Sequence, residues 1–282
     1  MIHSFLMIGQ SNMAGRGFVK EVPPIFDEHI KMQRNGLWQI MSEPINFDRP
    51  SAGVGLSASF AASWRIDNPE GEIGLIPCAD GGTSLDDWAV GGSLFENAIS
   101  QARLAQRTSQ LSGILWHQGE SDSTPERAGK YCEKFYKIIE AFRKELNVPE
   151  VPVVIGGLGD FLSSGIFGKY FESYPLINKA LESFASTHAN CYFVTARGLT
   201  ANADGIHFNA LSQRILGVRY YTAFRDLIHI SDPLNDEEDI LTAIYNRDYT
   251  KTEKIKLLEH EFAVGNIEIK DYLTELAIVG KE

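Results

Sequence analysis

Apolar residues fall along this chain in short runs separated by longer amphipathic stretches. Runs at 5–8, 73–76, 113–116, 151–155 and 191–194 have the length of buried strands, and most are bounded by Gly or Pro. Between and after them, apolar positions recur at helical spacing over 56–65, 94–105, 126–146, 176–184 and 211–228. The third of these helices opens at Thr124 and Pro125, a capping residue followed by a proline at the first helical position, where its missing N–H costs nothing. Strands that alternate with helices need right-handed crossovers. The pattern therefore predicts an α/β fold, a five-stranded parallel sheet covered by helices on both faces. In such a sheet the loops leaving the C-terminal ends of the strands gather along one edge, where functional residues concentrate. No apolar run approaches the roughly 20 residues that cross a bilayer, which excludes a membrane protein.

The pattern changes near residue 230. Ser231, Asp232 and Pro233 break it, and a charge-rich stretch follows from Asn235 to Asp239. Thr250 and Glu253 then form a capping-box signature ahead of Ile255, Leu258 and Phe262, and a further helix is expected after Gly265 and Asn266. This divides the chain into a main domain, 1–230, and a helical C-terminal appendage, 231–282. The appendage reads as a tail packed on the main domain or as a dimer contact, which leaves a homo-oligomer open, rather than as a binding module of its own.

Composition narrows the function without naming it. The 282 residues are 44% hydrophobic and 22% charged, enough for a full-sized core and unlike a disordered chain. The net charge of −11, with no long Lys/Arg cluster, argues against a nucleic-acid partner. Cys78, Cys132 and Cys191 are odd in number and widely spaced, so no complete disulfide framework exists and a reducing compartment fits. The first residues lack a basic segment and a small-residue cleavage site, so a cytoplasmic location is expected.

Chemistry is concentrated where strands end. Ser11 follows the first strand in a glycine-flanked turn, Gly9-Gln-Ser-Asn-Met-Ala-Gly15, which suits an exposed nucleophile. It is not the elbow of α/β-hydrolases, because Met13 stands where that motif needs glycine. A serine hydroxyl needs a base, and the base needs a group to hold its tautomer. Asp204 and His207, three residues apart in a polar loop after the fifth strand, can supply both. Donors for a developing oxyanion are available from the glycines at 81 and 82, after the second strand, and from the carboxamide of Gln118, after the third. A competing motif, Gly53-Val-Gly-Leu-Ser-Ala58, has the spacing of a dinucleotide-binding turn. It lacks the strand that must precede it, since Pro44 and Pro50 lie there, and no acidic strand end follows.

Taken together, Gly-Gln-Ser-Asn-Met-Ala-Gly-Arg-Gly from Gly9, Gly-Gly-Thr-Ser from Gly81, Trp-His-Gln-Gly-Glu-Ser-Asp from Trp116 and Asp-Gly-Ile-His-Phe from Asp204 resemble SGNH hydrolases of the sialate O-acetylesterase and acetylxylan esterase type. The resemblance covers about residues 1–228. It implies a flavodoxin-like three-layer α/β/α sandwich, no metal or organic cofactor, and removal of acetyl groups from a sugar hydroxyl. By the same resemblance Ser11 is the nucleophile, His207 the base and Asp204 the orienting acid, with the Ser11 and Gly82 amides and Gln118 as oxyanion donors. Removing one such donor costs on the order of a hundredfold in turnover, the loss expected for Gln118. Glu120 is a candidate to share the orienting role of Asp204. Gln10, Arg16 and Trp88 are the candidate substrate contacts: Arg16 pairs with Glu120 or meets the substrate, and Trp88 stacks on a sugar or anchors its loop. A lipid or thioester hydrolase and a non-catalytic carbohydrate-binding protein remain as alternatives, the second disfavoured because serine, histidine and aspartate are all present.

Overall fold

The computed structural model describes residues 1–281. Its centre is one seven-stranded sheet: β1 (Ile2–Gly9), β2 (Ile30–Arg34), β3 (Leu37–Ile40), β4 (Glu72–Pro77), β5 (Ser109–His117), β6 (Val153–Gly156) and β7 (Cys191–Val194), in the spatial order β3-β2-β4-β1-β5-β6-β7. The five strands read from the apolar runs are β1, β4, β5, β6 and β7, all parallel to their neighbours. Numbered among themselves they run 2-1-3-4-5, the flavodoxin-like order.

The sheet has seven strands rather than five. β2 adds parallel to β4, and β3 turns back antiparallel as the edge. The two are joined through Asn35 and Gly36, both at positive φ, the conformation that a two-residue hairpin requires. These strands escape a search for continuous apolar runs because polar residues interrupt both: Lys31, Gln33 and Arg34 flank Ile30 and Met32 in β2, and Gln39 separates Trp38 from Ile40 in β3.

Period-two alternation in the central strands feeds two cores. Leu6 and Ile8 of β1, Trp116 of β5 and Ile155 of β6 enter one, beneath helices α3 (Ser93–Ala105), α4 (Pro125–Glu145) and α5 (Tyr174–Thr187). Phe5, Met7, Leu115 and Val154 enter the other, beneath α2 (Leu56–Asp67) and α6 (Ala210–Asp226). Burial on both faces explains why the central strands are continuously apolar. Before α2, the glycines at 53 and 55 serve packing: a Cβ at Gly53 would lie 2.1 Å from the Gly17 carbonyl oxygen, and residues 17 and 54 exchange backbone hydrogen bonds.

After α6 come α7 (Glu237–Tyr245), α8 (Lys251–Ala263) and α9 (Ile269–Val279). The capping box at Thr250 and Glu253 forms, and the buried Glu253 carboxylate also accepts from the Glu28 amide and from Arg247, which ties α8 to the segment before β2. Among the described residues no helix is long and apolar enough to cross a membrane.

Candidate active site

Four loops meet at the C-terminal edge of the sheet. β1 ends at Gly9 and the chain turns through Gln10 into a one-turn helix, α1 (Ser11–Ala14), with Ser11 at its first position. The loop after β7 brings His207 against it: His207 Nε2 lies 2.9 Å from Ser11 Oγ, and Nδ1 lies 2.8 Å from Asp204 Oδ2. The second Asp204 oxygen accepts from the backbone amides of Ile206 and His207 at 2.8 and 3.0 Å. Burial alone would raise the Asp204 carboxyl. Hydrogen bonds from the His207 amide, its ring and the Ile206 amide outweigh that cost and hold the group below its ordinary value. A charged carboxylate, an imidazole of fixed orientation and a hydroxyl thus stand in line, an arrangement that can draw a proton off Ser11.

This line opens into a cavity of about 310 Å³ bordered by Arg16, Arg49, Gly81, Gly82, Phe171 and Ile206. The loop after β4 reaches it through two glycines. A Cβ at Gly81 would lie 2.5 Å from Arg16 Nη2 and 2.9 Å from Asp48 Oδ2, so a larger residue there would have to displace that ion pair. Gly82, at φ +79°, faces open space. The Gly81 amide donates to Asp48, whereas among the described residues the Ser11 and Gly82 amides have no acceptor. Both are free to donate to a bound group.

Other expected site residues take different positions. The Gln118 side chain is fully buried, its amide hydrogens spent on Asp122 Oδ2 (2.6 Å), Thr83 O (3.1 Å) and Gln10 Oε1 (3.2 Å). Its oxygen accepts from the Tyr131 hydroxyl at 2.8 Å. It braces the loop and has no N–H left for an oxyanion, contrary to its expected role. Gln10 borders the cavity, but its carboxamide oxygen is also taken, by Gln118 and the Ser121 amide.

Glu120 does not share the orienting role, because both ring nitrogens of His207 are occupied by Ser11 and Asp204. It accepts instead from Asn12 Nδ2, and burial raises its carboxyl above the ordinary range despite that bond. Its other oxygen has no partner among the described residues. Arg16 forms its ion pair with Asp48 rather than Glu120, and Asp48, although buried, is held low by the guanidinium and the Gly81 amide. Trp88 cannot stack on a sugar. It is fully buried, edge-on to Trp116 at 5.8 Å, with its indole N–H on Thr83.

Sequence reasoning missed Asn12, Asp48 and Arg49. Asn12 accepts from the Phe208 amide and donates to the Ile206 carbonyl and to Glu120, which clamps the turn carrying Ser11 to both flanks of His207. The only signal was its place in the glycine-flanked turn. Asp48 and Arg49 come from an irregular segment without periodicity, and no pattern marked them. Among the described residues, no group of three His, Cys, Asp or Glu side chains is placed to hold a metal ion.

Comparison with known proteins gives this geometry a setting. A family model described as carbohydrate esterase, sialic acid-specific acetylesterase, matches residues 1–226. A probable carbohydrate esterase of Arabidopsis thaliana is 27% identical over 242 residues, 78% of this chain and 89% of the relative. Its crystal structure superimposes with a TM-score of 0.70 at 26% identity, covering 79% of this chain and 98% of that one. The structure of NanS, 17% identical with a TM-score of 0.64, covers 80% and 97% of the two chains and shares the fold. So does a carbohydrate acetylesterase from Xanthomonas citri, 18% identical with a TM-score of 0.58, covering 79% and 56%.

Proposed function

From the premise that this chain belongs to the carbohydrate esterase family of sialic acid-specific acetylesterases, we propose that it removes O-acetyl groups from a sugar by a serine acyl-enzyme mechanism. The observation that carries this reading is the unbroken line from Asp204 through His207 to Ser11, with links of 2.8 and 2.9 Å, ending in an open cavity beside two unpaired amides.

In the first step Ser11 Oγ attacks the acetyl carbonyl carbon while His207 Nε2 takes the hydroxyl proton. The carbonyl oxygen becomes an oxyanion between the Ser11 and Gly82 amides, donors held in place before the charge develops. Collapse of the tetrahedral intermediate breaks the bond to the sugar oxygen, which receives the proton from His207 and leaves as an alcohol. Water, deprotonated by the same nitrogen, then attacks the acetyl-serine, and acetate departs as Ser11 recovers its proton. Asp204 stays ionised throughout and stabilises the transient imidazolium.

The test is acetate release from O-acetyl sialic acids, acetylated xylo-oligosaccharides and nitrophenyl acetate, with wild type beside Ser11→Ala. Release by the wild type and its loss in the variant are expected, and the ranking of substrates identifies the sugar. Failure of the wild type to release acetate from any member overturns the reading.

A further inference from the structure

A second and larger groove, of about 550 Å³, lies beside the catalytic cavity between the ends of β2 and β4, the segment 45–48 and helix α3. Only a wall of ion pairs divides the two. Asp48 and Asp80 border the groove, while their partners Arg16 and Arg49 border the catalytic cavity. A point 2.9 Å from Asp48 Oδ2 and 3.5 Å from the Ser11 Cβ is marked by the missing side chain of Gly81, so the wall is thin.

Three residues that line the groove carry buried polar atoms that the protein leaves unpaired: Gln33 Oε1, Arg34 Nη2 and Asn46 Oδ1. Gln33 and Asn46 are 6% and 4% exposed. Their amide hydrogens are held by backbone carbonyls, Gln33 on Gln101 and Asn46 on Ala79, which fixes both carboxamides with the oxygens unpartnered. Arg34 has no carboxylate within ion-pairing distance among the described residues, and its guanidinium lies over the Phe47 ring at 4.2 Å. Buried polar groups without partners are rare and costly in folded proteins, so three of them on residues lining one groove point to a ligand that completes them.

We propose that this groove is a subsite for a further sugar residue of an oligosaccharide whose acetylated residue occupies the catalytic cavity, an inference that rests on the sugar acetylesterase reading. Sugar hydroxyls both donate and accept. One ring can therefore pair with carboxamides and a guanidinium alike, which neither a purely anionic nor an apolar ligand does. Phe47, 63% exposed, offers an apolar ring beside the polar set. A hydroxyl-rich ring with an apolar face matches both parts of that lining.

The experiment is calorimetric titration of Ser11→Ala protein with unacetylated xylotetraose, repeated with Gln33→Leu and, separately, Phe47→Ala added. Nitrophenyl acetate hydrolysis and Tm are measured for the same two substitutions in the active enzyme. Saccharide binding weakened tenfold or more, with nitrophenyl acetate turnover and Tm near wild type, is the expected result. Absence of xylotetraose binding, or equal affinity with and without the substitutions, overturns the subsite. Binding needs no ester chemistry, so this failure is distinct from failure to release acetate.

Discussion

Two histidine and acid pairs, each three residues apart in sequence, stand at the same edge of the sheet. His207 and Asp204 are in direct contact at 2.8 Å, with side chains 22% and 39% exposed. His117 and Glu120 are 4.0 Å apart and 0% and 2% exposed. In the first pair, hydrogen bonds hold the carboxyl low enough to stay charged. In the second, burial dominates and pushes both groups toward neutrality: the imidazole falls to about 3, and the carboxyl rises. The Tyr220 hydroxyl donates to Trp116 O and lies 3.2 Å from His117 Nδ1, while Nε2 has no partner among the described residues. Spacing of a base and an acid is therefore insufficient for catalysis. The acid must find donors for its charged form, and the base must reach a reacting atom.

The largest test of this contrast lies in the histidines. His207→Ala is expected to lower kcat for acetate release by roughly 10⁴-fold or more, and Ser11→Ala to near background. His117→Gln should keep kcat within about tenfold and lower Tm instead. Comparable losses of kcat at 117 and 207 would erase the distinction between the pairs.

The acids should separate next. Asp204→Asn is expected to cost on the order of 10³- to 10⁴-fold in kcat, because it disturbs the tautomer of His207. Glu120→Gln keeps an acceptor for Asn12 and should leave kcat within about tenfold. Steady-state kinetics on nitrophenyl acetate measures both.

Gln118→Ala probes the brace between these regions. It removes one buried hydrogen bond from Asp122, which keeps the Leu85 amide, and one from the Tyr131 hydroxyl, which keeps the backbone carbonyl of residue 118 and the Trp116 indole, and each lost bond costs about 0.5–1.5 kcal/mol. The expected outcome is a loss of stability in urea unfolding, with kcat falling by much less than the hundredfold of an oxyanion donor.

The smallest effect is in the pH dependence of stability. Native His117 refuses a proton that the unfolded chain accepts near 6.5, so its contribution falls as pH drops from 6.5 toward 3. Glu120 has the opposite sense. The native state retains a proton that the unfolded chain releases above 4.5, so stability is lost as pH rises through that window. Glu120→Gln should therefore gain Tm relative to wild type as pH rises above 4.5, and a constant difference would contradict an upward shift of the native carboxyl.

The sequence by itself determined the five central strands, the helices that cover them and the edge where functional loops collect, because buried parallel strands write continuous apolar runs into the chain. It also marked Ser11, Asp204 and His207 as chemistry worth bringing together, since their residue types and turn contexts are local features. The tertiary structure alone decided the edge hairpin, the burial of Trp88, the inward turn of Gln118, the pairing of Arg16 with Asp48, and the burial of His117 and Glu120. Each of these depends on what distant segments deliver: Asp48 from an irregular loop, Tyr131 from α4, Tyr220 from α6. A side chain's solvent and its hydrogen-bond partners are properties of the assembled neighbourhood, and local pattern does not carry them.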